Sequence, residues 1–114
     1  MEKFVQQTLL FDFYGELLTE HQQRIYEDVV CNDMSCSEVA AEEGVSRQGI
    51  HDLIKRCNRQ LEEYEEKLHL VQKFLDIQAK VRRVRQEAQA AASEERMPDI
   101  QEIIRISDEI LEEL

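Results

Sequence analysis

Residues 37–56 read Ser-Glu-Val-Ala-Ala-Glu-Glu-Gly-Val-Ser-Arg-Gln-Gly-Ile-His-Asp-Leu-Ile-Lys-Arg, and their order decides the fold. A short amphipathic helix from Ser37 to Glu43 stops at Gly44, which can take positive φ after the last helical residue. The chain turns through Val45, and Ser46 caps a second helix. Ala40 is small, as a close helix crossing requires. Val45 is expected to plug the turn, with Val39, Ile50 and Leu53 as the shared apolar wedge. This is the pattern of a helix-turn-helix without a wing. Its second helix leaves Arg47, Gln48, His51, Asp52 and Lys55 exposed, the positions that face the major groove in such a motif.

Working outward, the rest of the chain also reads as helix, giving an all-α class. The 114 residues contain one Pro and three Gly, and Leu, Ile, Glu, Gln, Ala and Arg dominate. A first helix spans roughly residues 2–17, with Phe4, Val5, Leu9, Leu10, Phe13, Tyr14, Leu17 and Leu18 on a broad apolar face. Thr19 and Gln22 form a capping box that opens a second helix of about ten residues, in which Ile25, Val29 and Tyr26 point inward. Asn32 to Ser35 is a break, and Ser35 with Glu38 forms another capping box. Past Gly49 no Pro or Gly appears until Met97–Pro98, so the helix from Arg47 is expected to run on far beyond a normal recognition helix. Ala90 to Glu95 reads as a weak joint. Pro98 then starts a last helix with Ile100, Ile103, Ile104, Ile110, Leu111 and Leu114 on one face.

Within the long stretch, Ile50, Ile54, Cys57, Leu61, Tyr64, Leu68, Val71 and Leu75 are spaced alternately by four and three, the a/d seam of a coiled coil. Beyond it the stripe shifts to Leu70, Phe74, Ile77, Val81, Val84 and Ala88. Such a seam serves either the core of a single-chain bundle or a homodimer. The helical region after the turn has more apolar face than the N-terminal part can cover, which favours pairing with a second copy. The expected division is a helix-turn-helix unit over 1–60 and a helical extension for packing or dimerisation over 61–114.

The net charge of −11 works against a nucleic-acid role, because phosphate neutralisation supplies much of such affinity. The charge is unevenly placed. Residues 1–45 carry two Lys/Arg against ten Asp/Glu, whereas residues 46–60 carry Arg47, Lys55, Arg56 and Arg59 against Asp52. A second basic cluster is Lys80, Arg82, Arg83 and Arg85, inside an otherwise acidic body. Binding to a duplex is therefore expected to depend strongly on salt.

Each candidate residue has a functional and a plain reading. Arg47 and Gln48 match the guanine and adenine edges with their forked donors, or are ordinary first-turn polar residues. Ser46 is a cap that can also contact phosphate. Lys55, Arg56 and Arg59 suit backbone phosphates, or pair with Glu62, Glu63, Glu65 and Glu66 at helical spacing. His51 and Asp52 complete the groove-facing set. Lys80, Arg82, Arg83 and Arg85 suit RNA phosphates or an acidic protein, or pair with acidic residues of the last helix.

No GxGxxG, P-loop, nucleophile elbow or HExxH is present, so the chain does not read as an enzyme. His21, His51 and His69 lack metal-site spacing, and no cofactor is implied. Cys31, Cys36 and Cys57 are odd in number and form no CxxC pair, which reads as reduced thiols in a cytoplasmic protein. No run of about 18 apolar residues exists, so no membrane insertion is expected. The N-terminus is too acidic for a signal peptide.

Leu18-Thr-Glu-His-Gln-Gln-Arg-Ile-Tyr26, Ser37-Glu-Val-Ala40, Gly44-Val-Ser-Arg-Gln48 and Ile54-Lys-Arg56 together resemble region 4 of bacterial sigma factors, over about residues 17–60. That region reads the −35 promoter element with a helix-turn-helix. With the aromatic stretch Leu10-Phe-Asp-Phe-Tyr-Gly-Glu-Leu-Leu-Thr19, the whole chain is similar to the YlxM family of small bacterial proteins. The family is encoded beside signal recognition particle genes, so the resemblance implies a context in that secretion pathway. Two positions depart from the motif. Glu43 stands before the turn glycine where an apolar residue is usual, and Gly49 lies in the first turn of the recognition helix, at a cost of roughly 1 kcal/mol against Ala. Two functions remain open: a DNA-binding regulator, and a non-catalytic adaptor for signal recognition particle RNA or protein, or for RNA polymerase.

Overall fold

A computed structural model describes residues 2–114. Among them the chain is all-α with no strand: α1 (Lys3–Tyr14), α2 (Glu20–Tyr26), α3 (Cys36–Glu43), α4 (Arg47–Leu68), α5 (Leu70–Ser93) and α6 (Ile100–Glu113). A 3-10 turn, Gly15–Leu17, follows α1, and a π-helical segment, Glu27–Cys31, continues α2. The contacts divide the chain into a unit closing at Val71 and a second unit, Gln72–Leu114.

In the first unit, local chemistry sets the boundaries. Thr19 Oγ1 accepts from Gln22 N–H while Gln22 Oε1 accepts from Thr19 N–H, the reciprocal capping box. Ser35 accepts from Glu38 N–H at the start of α3. Gly44 takes φ 69°, and the next amide, Val45 N–H, reaches back to Ala40 C=O at 3.1 Å, a Schellman-type closure. Val45 itself is 52% exposed, so it does not plug the turn. With its amide turned back to α3, its side chain stands at the rim. The wedge is Ile25, Val39, Ala40 and Ile50, with Val29, Leu53 and Ile54 packed around it.

α1 and α2 hold α4 through two tyrosines. Tyr26 is fully buried, stacks on Phe11 at 5.3 Å, and donates from its hydroxyl to Asn58 Oδ1 at 2.5 Å. Tyr14 donates to Glu65 Oε1 at 2.6 Å and accepts from Leu70 N–H at 3.1 Å, while Glu65 Oε1 also accepts from Val71 N–H. The first amides of α5 are thus capped from α1 and α4. Between these helices His69 takes the left-handed conformation, φ 55°, and α4 ends.

Four expectations are corrected here. The helix from Arg47 breaks at His69, so the heptad does not run as one seam to Leu75. Its positions Ile50, Cys57, Leu61 and Val71 are buried within the chain itself and are not left for a second copy. The first helix uses only part of its apolar face: Leu10, Tyr14 and Leu18 are buried, but Phe4, Val5 and Leu17 are exposed. Pro98 lies outside α6, because Asp99 takes the cap and accepts from Glu102 N–H at 3.1 Å.

The second unit is a helical hairpin of α5 from Gln72 onward and α6. Its buried apolar residues are Ala91 and Ile106. Ion pairs Lys80–Glu113, Arg83–Glu102 (3.0 Å) and Arg96–Glu87 (2.7 Å) lace it antiparallel. Lys80 and Arg83 of the second basic cluster are therefore occupied by acidic residues of α6.

Candidate nucleic-acid interface

The N-terminal half of α4 carries the candidate residues. At about 100° per residue, Ile50, Ile54, Cys57 and Leu61 fall on the side packed against α1–α3. Gln48, Asp52, Lys55, Arg56 and Arg59 fall opposite, Arg47 and His51 lie at the flank of the packed side, and all seven are exposed. Ser46 Oγ accepts from Gly49 N–H at 3.0 Å, so its hydroxyl is committed to the cap. The same contact explains Gly49: a Cβ there would lie 3.2 Å from Ser46 Oγ, pressing on the cap that starts the helix.

Arg47, Lys55, Arg56 and Arg59 have no ion-pair or hydrogen-bond partner among the described residues. The expected alternative, pairing with the Glu62–Glu66 run, is not formed. Gln48 Nε2 donates to Asp52 Oδ1 at 3.0 Å, which fixes the direction of the Gln48 amide. His51 Nδ1 lies 3.9 Å from Cys36 Sγ. Along the helix the charge reverses at Glu62, Glu63 and Glu66, so the basic surface covers only about the first three and a half turns.

Glu43 has a structural role. Its carboxylate accepts from Arg24 at 3.0 and 3.2 Å and lies 3.4 Å from His21 Nε2. The Arg24 hydrogen bonds hold its carboxyl below the usual carboxylate range. The position usual for an apolar residue instead ties the end of α3 to α2.

Sequence reasoning missed the companion surface. Lys3, Gln6, Gln7 and Leu10 of α1 face Lys55, Asn58, Arg59 and Glu62 of α4 across a groove of about 300 Å³. With Tyr26 donating to Asn58 Oδ1, the amide NH2 of Asn58 is left as a donor beside the Lys3, Lys55 and Arg59 cations. No local signal could reveal this, because it depends on how α1 docks on α4. A smaller cleft of about 140 Å³, lined by Ile25, Val45, Ile50 and Leu53 among others, borders the turn.

Burial pushes the thiols of Cys57 and Cys31 up, Cys31 being raised further by Glu27 and Asp12. All three cysteines are free. Among the described residues no group of three or more His, Cys, Asp or Glu is placed to hold a metal ion, and no helix is long and apolar enough to cross a membrane.

A family profile, UPF0122, described as "Putative helix-turn-helix protein, YlxM / p13 like", matches residues 1–103. A UPF0122 protein of Thermoanaerobacter sp. strain X514 is 39% identical over 113 residues, covering 99% of this chain and 94% of the relative. One from Caldanaerobacter subterraneus is 42% identical over 85 residues, covering 75% of this chain and 73% of its own. One from Bacillus cereus strain AH187 is 45% identical over 86 residues, covering 75% and 78%.

Proposed function

The chain belongs to the UPF0122 family of YlxM / p13-like proteins, and we propose that it is a cytoplasmic DNA-binding regulatory protein whose α4 enters the major groove. The observation that carries this reading is the set of four exposed cations without an ion-pair partner among the described residues in the N-terminal half of α4, Lys55, Arg56 and Arg59 on its outer side and Arg47 at the helix start beside the Ser46 cap. Arg47 and Gln48, nearest the helix start, read base edges, with Asp52 aiming the Gln48 amide. Lys55, Arg56 and Arg59 take phosphates, and the α1 groove adds Lys3 to that footprint. His51 lies within the contacted face.

The acid that begins at Glu62 favours a second reading, in which the same short basic face docks on signal recognition particle RNA or protein, or on RNA polymerase, as an adaptor. Fluorescence anisotropy against promoter DNA from its own operon, an unrelated duplex and signal recognition particle RNA separates the two. Four phosphate contacts give a slope of about −3.6 in log K against log salt, so raising salt from 50 to 200 mM lowers affinity roughly 150-fold. Lys55→Gln removes about 0.9 of that slope on any duplex. Arg47→Ala costs about 1–3 kcal/mol on the operon DNA and relaxes discrimination. Binding to the RNA alone rejects the regulator and leaves the adaptor.

A further inference from the structure

The second unit has an apolar face that its own hairpin does not use. On α6, Ile103, Ile106 and Ile110 turn toward α5. Ile100, Ile104, Leu111 and Leu114 form an adjacent stripe rotated about a quarter turn away, and they are 49%, 49%, 69% and 80% exposed. On α5, Lys80, Glu87 and Ala91 turn toward α6, and Val81, 52% exposed, lies a similar quarter turn away. In an antiparallel hairpin these two offsets fall on the same side, so the outer stripes make one apolar surface.

We propose that this surface is the interface between two copies of the chain, which pair their α5–α6 hairpins into a four-helix bundle. Two arguments select a second copy. The first is area. Taking ~150–200 Å² for a fully exposed side chain of this size, the five residues leave roughly 500 Å² of apolar surface per chain. Two copies then bury on the order of 1,000 Å² before any polar rim is counted, the threshold a specific interface must clear. A hairpin burying only Ala91 and Ile106 also lacks the core that a stable bundle needs.

The second argument is charge. On the edge of the surface away from the hairpin seam, α5 carries Arg82 and Arg85, and α6 carries Asp108 and Glu112; none of the four has an ion-pair partner among the described residues. A twofold axis along the hairpin's length lays α5 of one copy over α6 of the other. The Lys80–Glu113 pairing fixes the level, so Arg82 and Arg85 meet the acidic edge of the second copy near its Asp108. Laying α6 over α6 instead would oppose like charges. The face is self-complementary only in the first arrangement.

Sedimentation velocity on the full chain at tens of micromolar tests this. The expected mass is twice the 13.5 kDa of one chain. Ile104→Gln with Leu111→Gln replaces exposed side chains and should leave helical circular dichroism intact while weakening dimerisation about 100-fold or more. Arg85→Glu and Asp108→Arg should each weaken it about five- to tenfold, and the two together should recover most of the loss. A monomeric wild type overturns the proposal and leaves the face to another occupant. A dimer indifferent to Ile104→Gln/Leu111→Gln also overturns it. Failure of the charge pair to recover overturns the α5-over-α6 arrangement.

Discussion

Replacing Tyr26 with Phe should weaken the first unit at neutral pH and stop doing so in alkali. The ring is completely buried against Phe11, and its hydroxyl donates to Asn58 Oδ1 at 2.5 Å. Phe keeps the stack and removes one hydrogen bond between neutral groups, worth about 1 kcal/mol. For a unit of this size that lowers the melting temperature by about 4–8 °C. Burial, with the Cys57 and Cys31 thiols and Glu62 close by, pushes the hydroxyl far above its ordinary value of 10.0. Because the folded-state value lies above the unfolded one, this contribution to stability is complete below pH 10 and is lost as pH rises beyond it. At pH 11 the unfolded wild type gains about 1.4 kcal/mol by ionising Tyr26, and Tyr26→Phe gains nothing there. The deficit of about 1 kcal/mol should therefore vanish or reverse sign. The raised Cys57 and Tyr14 groups also titrate in alkali, but they are common to both proteins and cancel in the difference. Urea unfolding followed by circular dichroism at pH 7 and pH 11 reads the two deficits. An unchanged deficit at pH 11, or all three tyrosines of the folded wild type ionising near pH 10 by ultraviolet difference absorbance, would refute the buried-donor account.

Two further outcomes follow from the turn. Gly44→Ala meets no atom within 4 Å of the new Cβ but must hold φ 69°, so it should cost about 1 kcal/mol through the backbone alone. Gly44→Asn should cost less, and an unchanged urea midpoint for the alanine variant would show that the turn relaxes. The Glu43 carboxyl, held low by Arg24 and then by His21, contributes stability above its ordinary value of 4.5 that is lost as pH falls below it. Glu43→Gln should thus lower the urea midpoint at pH 7 by a small, salt-screened amount and be indistinguishable from wild type at pH 3.

The helix-turn-helix was legible because its instructions are local. Thr19, Ser35 and Ser46 each accept an amide three residues ahead, and Gly44 supplies the one conformation that the turn requires. The end of α4 was not legible, because no Gly or Pro marks it. His69 adopts positive φ where Tyr14, more than fifty residues earlier, and Glu65 satisfy the first amides of α5. The heptad misled for a related reason. Ile50, Cys57 and Leu61 recur at coiled-coil spacing, but a helix packed on α1 and α2 needs the same stripe as one packed on a second copy. Spacing names the buried face and not what buries it. The α1–α4 groove was hidden likewise: Lys3 and Arg59 become neighbours only through tertiary packing.

The acidic body and the basic face can be reconciled by asking which cations the fold consumes. Arg24 is held by Glu43, Lys80 by Glu113, Arg83 and Arg105 by Glu102, and Arg96 by Glu87 and Glu94. Those of α4 before Glu62 are not consumed, although glutamates stand one and two turns further along the same helix. At physiological salt the screening length is about 8 Å, comparable with the roughly 10 Å of helix from Lys55 to Glu62, the first of the acidic run. On the proposed DNA-binding reading, a phosphate seated at Lys55 therefore feels the local cations more than the distant net charge. On the same reading, the surrounding acid would act on what lies outside that footprint and repel a backbone docked elsewhere, so that an acidic body would suppress non-specific association while leaving a short contact intact. On this account, neutralising Glu62, Glu63 and Glu66 would raise affinity for unrelated duplexes more than for a true target.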